Sequence, residues 1–589
     1  MMKEKLRASM PLLGFLLCPV VTMILTELYT HDPFQDMKKT PWILNIILYW
    51  LLAAFLVMAT GRLRAALRIQ TLFFMLAGLA NYYVIAFRSS PILPWDIYSA
   101  GTAASVADNF SYTLPARVWM VLLGFCFLLG AEQLFAYRLY RKRVRLAGLL
   151  VCTALLTAFT TFLHQESVVT RLRLYDKMFT PGVVQKRNGC AVAFAMELKY
   201  LLPDRPEGYS EEESRELLES YRSDAPLPET EELPNIIVIM DEAFADMSYV
   251  GDFTCDREVM PFVQSLTGAD NVISGRLHVS VLGGNTANTE FEFLTGNTMA
   301  FLPEGSIPYQ QYMRGTVPSL VSELKRFGYE AVAMHPYYAS GWRRDKVYSW
   351  MGFDSMRFLE DFEDVEYVRK YASDHWDFAQ IIREYEQREK DRPFFLFNVT
   401  MQNHGGYDQA YDNFEADIKA EGIESQSLSN YLSLINLTDQ ALQELIAYFE
   451  QEEEPVLLVF FGDHQPNDTV ARPIRTFNGV RQQNITWEQE MDRYQVPFFI
   501  WANYEIEEKQ QVDISANFLA LEVLKQADIP AEGYYGYLNE LRESCPVVSG
   551  KQVILADGSS LDSGAGKELE EMKRYRKLQY YRMFEAYKE

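Results

Sequence analysis

The sequence predicts a protein in two unlike parts, an N-terminal α-helical transmembrane domain of five spans and an extracytoplasmic α/β domain with a mostly parallel sheet. Three observations support this fold class: five successive apolar runs, buried-strand patterns alternating with helical ones, and a division of charge. Residues 1–164 carry fifteen basic and seven acidic residues, a net +8, which leaves −32 on the rest of a chain whose total is −24. Nucleic acid is therefore not an expected partner, because phosphate binding needs a basic face.

Five apolar runs have the length and composition of membrane spans. They cover residues 10–26, 42–59, 71–87, 118–135 and 146–163, and Glu132 is the main charged residue inside them. Each is close to the roughly 20 residues that cross a bilayer core, and one soluble core could not bury five of them. Basic residues precede the first run and lie between runs two and three and between runs four and five. The positive-inside rule therefore places the N-terminus in the cytoplasm and the chain after Leu163 outside the cell.

The remaining sequence divides by composition. We expect a transmembrane domain at 1–165, a linker with short helices at 166–233, a catalytic domain at 234–530 and an extension with a terminal helix at 531–589. The six cysteines show no CxxC pair and no metal-ligand spacing, so neither a disulfide scaffold nor a structural zinc is expected.

Continuous apolar runs predict strands that are buried on both faces. These runs lie at 235–241, 330–334, 394–399, 456–461 and 496–502. Helical patterns separate them, at about 318–328, 376–390 and 428–449. Strands that alternate with helices predict a mostly parallel sheet covered on both faces.

Polar side chains follow four of these strands at the point where each strand ends. Glu242 follows the first, His335 the second and His404 the third, while Asp463 and His464 follow the fourth. Ligands bind beyond the carboxyl ends of the strands in an open α/β sheet. Any one of these side chains alone is usually structural, but their convergence predicts a metal or catalytic site.

Two further segments carry residues suited to an anion. In 282–293 (LGGNTANTEFEF), paired glycines lead into a helix whose first N–H groups can face an anion, with Thr286 near its start. The Thr286 hydroxyl could be a nucleophile and metal ligand or merely an N-cap, and the local sequence leaves both open. In 341–346 (GWRRDK), arginines beside a tryptophan can bind a phosphate or form surface ion pairs.

The sequence lacks the motifs of several enzyme classes. The chain contains no GxxxxGK[ST] loop, no GxGxxG after a strand and no HExxH helix. Neither external cysteine lies in the C-x-P-S-R sequence of sulfatases that convert cysteine to formylglycine, so simple sulfate-ester hydrolysis is disfavoured.

Five motifs, taken in order, resemble the lipoteichoic acid synthase family. They are IIVIMDEAF, GGNTANTEF, HPYYASGWRRD, TMQNHGGY and FGDHQP, and all lie between residues 235 and 466. The resemblance implies an alkaline-phosphatase/sulfatase-like fold in a multi-pass protein of the bacterial cell membrane. It also implies transfer of glycerol phosphate from phosphatidylglycerol to a glycolipid or a growing polyglycerolphosphate acceptor, with release of diacylglycerol.

The resemblance implies roles for individual residues as well. Thr286 corresponds to the nucleophile, which would form a phospho-threonine intermediate. The metal ligands would be Glu242, Asp463 and His464 with Thr286, and the substrate would be held by His404, Trp342 and Arg344, with His335 in the neighbouring loop. One divalent metal is implied, commonly Mn²⁺, with Mg²⁺ or Zn²⁺ left open. A lysine often precedes the nucleophile in the polymerising enzymes, and Asn285 replaces it here, which leaves polymerase and single-unit transferase open.

Two other classes of function remain as alternatives. One is a related head-group transferase, such as a phosphoethanolamine transferase, or a phosphodiester or sulfate-ester hydrolase of the same fold. An amine head group should need a carboxylate that the sequence does not place. The other is a non-catalytic membrane scaffold or sensor, which should have lost motif residues, yet none is missing. The acceptor, the metal, the oligomeric state and proteolytic release of the external domain are open at the level of sequence.

Overall fold

The computed structural model describes residues 2–586 apart from 89–90, 95, 97–113, 176–180, 202–203, 223–232, 304 and 482–483. The described residues form two compact units, one within residues 1–203 and the other within 204–589. The stiff acidic part of the expected linker, 223–232, lies outside the described residues.

The first unit is built from five long helices. They are α1 (Met2–Glu27), α2 (Lys39–Thr60), α3 (Leu63–Arg88), α4 (Ala116–Ala131) and α5 (Lys142–His164). Four short helices accompany them, Pro33–Asp36, Glu166–Leu172, Pro181–Asn188 and Cys190–Glu197. Each long helix supplies an apolar segment long enough to cross a membrane, which confirms the five predicted spans. Large apolar side chains such as Phe127 point outward, as a lipid-facing surface requires.

Glu132, the charged residue inside the predicted spans, is buried and has a hydrogen-bond partner. The Thr71 hydroxyl donates to its Oε1 at 2.6 Å. Glu27, at the end of α1, accepts from the backbone N–H of Cys190 at 2.8 Å. Both carboxyl groups are thus held inside the helical unit, where an unpartnered polar group would be costly.

The second unit is organised around one eight-stranded sheet. Its strands are β1 (Asn235–Asp241), β2 (Val272–His278), β3 (Glu330–His335), β4 (Ser355–Phe358), β5 (Phe394–Val399), β6 (Val456–Gly462), β7 (Gln495–Ala502) and β8 (Lys509–Ser515). They lie in the order β8-β2-β7-β6-β1-β5-β3-β4. Only β7 pairs antiparallel, with β6 on one side and β2 on the other, so the sheet is mostly parallel as predicted.

The central strands are buried from end to end because their sequences are apolar throughout. Every residue of β1, β5 and β6 is buried, which confirms the prediction of a sheet covered on both faces. Three strands were not predicted, β2, β4 and β8, since they mix exposed and buried positions at the sides of the sheet. Small strands also form at Tyr367–Val368, Tyr371–Ala372, Val547–Val548, Gln552–Ile554 and Ser560–Asp562.

Ten longer helices belong to this unit. They are α6 (Glu211–Ser220), α7 (Thr286–Thr295), α8 (Leu320–Arg326), α9 (Arg344–Met351), α10 (Asp374–Gln387), α11 (Gln426–Phe449), α12 (Asp468–Phe477), α13 (Ala516–Gln526), α14 (Tyr534–Ser544) and α15 (Glu570–Phe584). Short helices lie at Pro261–Ser265, Pro308–Gln311, Trp487–Met491 and Ser563–Gly566. The helix expected to start at Pro318 begins two residues later, because Ser319 caps it in a reciprocal pair with Ser322.

The terminal helix α15 is tied to the far end of α7. The Tyr575 hydroxyl donates to the carbonyl of Gly296 at 2.6 Å, directly after the last residue of α7. Arg582 donates to the carbonyl of Thr295 at 3.0 Å, and Gln579 accepts from the N–H of Thr298 at 2.9 Å. The first two bonds satisfy carbonyls that a helix end leaves unpaired, so α15 fixes the position of the far end of α7.

Gly462, the last residue of β6, lies where two backbone segments approach closely. A Cβ at this position would stand 1.9 Å from the carbonyl oxygen of Phe244 in the segment after β1. Only glycine therefore allows the ends of β1 and β6 to lie side by side.

We predict that Gly462→Ala lowers the free energy of unfolding by about 3 kcal/mol, because the new methyl group forces the two strand ends apart. Thermal unfolding of the detergent-solubilised protein measures the loss. Gly315→Ala is the matched control, since a Cβ there meets nothing within 4 Å. Equal stability of the two variants would contradict the close approach.

Candidate active site

Glu242, Asp463 and His464 lie together where β1 and β6 end. The two strands pair in parallel with Asp241 opposite Gly462, so the residues that follow each of them emerge side by side. One ligand atom from each of Glu242, Asp463 and His464 lies within 4.8 Å of the others. The structure therefore brings together three of the four ligands that the resemblance implied.

The geometry of this group leaves two ligand atoms free. His464 Nε2 is 3.3 Å from Asp463 Oδ2 and 3.8 Å from Glu242 Oε1. The N–H of Ala243 donates to Asp463 Oδ1 at 2.7 Å, and His464 Nδ1 lies 3.0 Å from the carbonyl of Gln465. A proton on Nδ1 satisfies that carbonyl, which leaves Nε2 and Asp463 Oδ2 buried without a hydrogen-bond partner. Free, buried and converging ligand atoms fit a bound cation.

The pKa shifts of the two carboxyl groups also favour a cation site. Burial raises the pKa of the Glu242 carboxyl group well above its usual range, and the neighbouring Asp463 raises it further. Burial also raises the pKa of Asp463. Two buried carboxylates in contact repel each other unless a cation lies between them. One imidazole with two carboxylates suits Mn²⁺ or Zn²⁺, and less distinctly Mg²⁺.

Thr286 lies at the same place, at the start of α7. The turn before it has positive φ at three successive residues, Gly283 (67°), Gly284 (149°) and Asn285 (68°), which glycine and asparagine adopt most readily. Asn285 occupies the cap position without a side-chain cap bond, and Thr286 is the first helical residue. The Thr286 hydroxyl donates to Glu242 Oε2 at 3.1 Å. The N-cap interpretation is therefore wrong, since this hydroxyl faces the carboxylate and not its own helix.

Two bonds fasten α7 to the end of β6. The N–H of Gly283 donates to the carbonyl of Gln465 at 2.9 Å, and the Thr289 hydroxyl donates to the carbonyl of Asp463 at 2.7 Å. The hydroxyl and the three ligand residues thus belong to one rigid arrangement. The N-terminus of α7 adds backbone N–H groups that can bind phosphate oxygens.

Arg344 and His335 form a layer behind this group. Arg344 Nε donates to both carboxylate oxygens of Glu290, at 3.1 and 3.2 Å, and Nη1 lies 2.9 Å from His335 Nε2. His335 Nδ1 lies 2.7 Å from the carbonyl of Val399, so both ring nitrogens have partners. The Tyr348 hydroxyl donates to Glu290 at 2.6 Å. Arg344 therefore has a buried carboxylate partner of its own.

Trp342 precedes this layer in a strained turn. Its φ is 53°, an uncommon value for a bulky residue, and its side chain is half-buried against the core. Arg344 bonds Glu290, which lies on α7 one turn after Thr286, so the layer is close to the ligand group. The described contacts of the Trp342 side chain are with the hydrophobic core of the second unit.

His404 follows β5 and is held as a neutral imidazole. Burial, the Arg369 guanidinium and His464 lower the pKa of His404 to about 3. The Tyr371 hydroxyl lies 2.9 Å from His404 Nδ1. A hydroxyl that donates to Nδ1 leaves the ring proton on Nε2, where it can be donated to a phosphate oxygen.

Arg369 was missed by the sequence reasoning. Its Nη2 donates at 2.7 Å to the carbonyls of Gln402 and His404, so it holds the loop that carries His404. The only signal in the sequence is a basic pair that follows the acidic stretch at 359–366. No motif marks it, because the contact is formed between segments more than thirty residues apart.

The fold and this arrangement of residues define an alkaline-phosphatase-like domain, and the chain belongs to the sulfatase family, whose model matches residues 234–529. A putative cyclic β-1,2-glucan modification protein of Rhizobium meliloti (strain 1021) is 30% identical over 518 residues, 85% of this chain and 79% of that protein. Lipoteichoic acid synthase 1 of Bacillus subtilis (strain 168) is 24% identical over 278 residues, 45% of this chain and 41% of that protein.

A solved structure supports the fold. The Streptococcus pyogenes phosphoglycerol transferase GacH, in complex with sn-glycerol-1-phosphate, has 22% identity and a TM-score of 0.51, covering 64% of this chain and 94% of that chain. The predicted fold class and the family resemblance are confirmed. The five apolar helices of the first unit are those of a multi-pass membrane protein.

We predict that Asp463→Asn abolishes most metal-dependent stabilisation without destabilising the metal-free protein, because it removes one of two repelling carboxylates. At Mn²⁺ one hundredfold above Kd, binding stabilises a folded protein by about 2.7 kcal/mol. Thermal unfolding with Mn²⁺ or chelator measures this difference. Asp377→Asn is the control, since Asp377 is fully buried but lies outside the ligand group. An unchanged Mn²⁺ effect in Asp463→Asn would remove Asp463 from the site.

Proposed function

We propose that the protein is a membrane-anchored, metal-dependent phosphoglycerol transferase that takes glycerol phosphate from phosphatidylglycerol. One observation carries the proposal: the Thr286 hydroxyl, at the N-terminus of α7, donates at 3.1 Å to a buried carboxylate of the Glu242, Asp463 and His464 group. A hydroxyl beside a cation site and a helix N-terminus is suited to attack on a phosphodiester.

The reaction proceeds in two transfers, first to Thr286 and then to the acceptor. Thr286 Oγ1 gives up its proton to Glu242, which accepts its hydrogen bond, and forms a bond to phosphorus. The bond from phosphorus to the diacylglycerol oxygen breaks, and diacylglycerol leaves as an alcohol after that oxygen takes up a proton from His404. The acceptor hydroxyl then attacks the phospho-threonine, which restores the Thr286 hydroxyl and places glycerol phosphate on the acceptor. Glu242 orients Thr286, and Glu242, Asp463 and His464 would hold the metal with Thr286 as a further ligand. When bound, a divalent ion such as Mn²⁺ neutralises charge on the phosphoryl oxygens and lowers the pKa of the hydroxyl.

The four remaining predicted residues take different parts in this proposal. His404 donates from its neutral ring to a phosphate or leaving oxygen. Trp342 stacks on the glycerol part. Arg344 contacts the glycerol phosphate from beside Glu290, and His335 acts as a positioning residue, since its ring nitrogens already bond Arg344 and Val399.

Two acceptors are favoured by different observations. The family resemblance favours a glycolipid or a growing polyglycerolphosphate chain. The relative with the greater coverage favours a glucan, since its similarity extends over 85% of the chain and its printed name concerns cyclic β-1,2-glucan. A lysine often precedes the nucleophile in the polymerising enzymes, so Asn285 at this position fits a single-unit transfer. The backbone also suits this residue, since asparagine readily adopts the positive φ found there.

Incubation of the purified protein with labelled phosphatidylglycerol and Mn²⁺ tests the proposal. Release of diacylglycerol is expected, and label should pass to one of two added acceptors, a glycolipid or a cyclic β-glucan. Parallel incubation with labelled phosphatidylethanolamine tests the alternative head group. Turnover of that lipid alone would replace the proposed donor, and turnover of neither would favour the non-catalytic scaffold or sensor.

We predict that reporters fused after residue 145 and after residue 230 report opposite compartments. The basic loop between the fourth and fifth spans should stay in the cytoplasm, and the catalytic domain should lie outside the cell. Alkaline phosphatase and fluorescent-protein fusions measure the two locations. The same compartment for both fusions would break the five-span orientation.

We predict that Thr286→Ala abolishes diacylglycerol release while the protein still folds, because the change removes the oxygen that would carry the phosphoryl group. Thr286→Ser keeps the hydroxyl and should retain part of the activity. Mass spectrometry of trapped wild-type protein should find glycerol phosphate on a peptide containing Thr286.

Thr289→Ala is the matched control, because its hydroxyl lies one helical turn further on and bonds the carbonyl of Asp463. This variant should lose about 1 kcal/mol of stability and keep the ability to form the adduct. Near-normal release by Thr286→Ala, or an adduct on Thr289, would overturn the assignment of the nucleophile.

A further inference from the structure

Arg369 is a buried cation that holds the loop of His404 through only one of its three side-chain nitrogens. It lies between the small strands Tyr367–Val368 and Tyr371–Ala372, and its side chain is 5% exposed. The ion pairs among the described residues give it no carboxylate partner, whereas Arg344 and Arg388, equally buried, each have one. A buried guanidinium without a counter-charge is costly, so its presence needs an explanation.

The donors of Arg369 are only partly used. Nη2 donates to two loop carbonyls at 2.7 Å, while Nε and Nη1 are buried without a hydrogen-bond partner. The rings of Tyr371, Tyr407 and Tyr411 surround the guanidinium at 5.5–6.0 Å and stabilise its charge without using those N–H groups. The unused Nε–H and Nη1–H lie on different edges of the guanidinium plane, so either of them can donate to one oxygen of an anion.

The position of Arg369 is tied to the active site. Arg369 bonds the carbonyl of His404, and its charge lowers the pKa of the His404 ring. Burial lowers the pKa of Arg369, and the negative charge of Glu242 raises it by a smaller amount. Its own backbone has a φ of 60°, which is uncommon for arginine and is maintained only where the surroundings fix it. The guanidinium is thus held against the loop of His404, in a fixed orientation.

We propose that Arg369 binds a phosphoryl oxygen of the substrate through Nε–H or Nη1–H, as a second anchor beside His404. The ligand class is a tetrahedral oxyanion, either the phosphodiester of a lipid head group or free phosphate. The identity of the lipid rests on the proposed function, but the anion site does not. The bonds through Nη2 keep the loop of His404 in place, so one side chain serves both the loop and the anion.

If Arg369 only held the loop of His404, it would use Nη2 alone and phosphate binding would not depend on it. A measurement of phosphate binding therefore separates the structural role from the anion-binding role. The test measures inorganic phosphate binding to the Mn²⁺-loaded full-length protein, by calorimetry and by the rise in Tm. Arg369→Met should weaken phosphate binding about 10- to 100-fold, the range expected for lost charge-assisted bonds. Arg369→Lys keeps the charge without the fork and should lose less.

Arg388→Met is the matched control. Arg388 is also buried and lies over the ring of Tyr385 at 3.6 Å, but it pairs with Glu454 away from the ligand group. This variant should lose stability and keep wild-type phosphate affinity. With vesicles of phosphatidylglycerol, Arg369→Met should raise KM more than it lowers kcat, which distinguishes binding of the lipid head group from binding of free phosphate alone.

Wild-type affinity for phosphate in a folded Arg369→Met protein would overturn the proposal, and so would a wild-type protein that binds no phosphate. Failure of the proposed function has a different result. Phosphatidylglycerol would then remain intact while phosphate binding still depended on Arg369.

Discussion

The contact between two carboxylates at the ends of β1 and β6 is the constraint on which the site depends. Glu242 and Asp463 lie side by side because the strands pair in register and because Gly462 lets the backbones approach. Such a pair inside a protein is unfavourable on its own, since burial and mutual repulsion both favour protonation. The pairing of β1 with β6 therefore provides a candidate cation site, and Thr286 is positioned beside it.

Two residues beside this site have an uncommon backbone conformation. Ala243 follows Glu242, Asn285 precedes Thr286, and both have positive φ, as does Arg369, which bonds the carbonyl of His404. The surrounding bonds hold them there: the N–H of Ala243 donates to Asp463, for example, and the guanidinium of Arg369 to two carbonyls. Rigid, strained turns fix donor and acceptor directions before a substrate arrives, which lowers the cost of organising the transition state.

Much of this arrangement could be predicted from sequence, because apolar runs and the residues after them are local signals. The strand at 235–241 was predicted to the residue, and Glu242 with it. Strand β7 looks like the others in sequence, and only pairing shows that it runs antiparallel. Arg369 and the Glu290 partner of Arg344 had no local signal, since tertiary contacts alone give them their surroundings.

The anchoring of α7 by α15 has a consequence for the order of folding. Tyr575 and the carbonyl it bonds are 279 residues apart, so the far end of α7 can be locked only after the segment at 570–584 has been synthesised. The bonds that hold the start of α7 reach only to residues 463 and 465, which are synthesised earlier. The ends of β1, β6 and α7 can therefore meet first, and α7 is fixed at both ends only when the chain of the domain is complete.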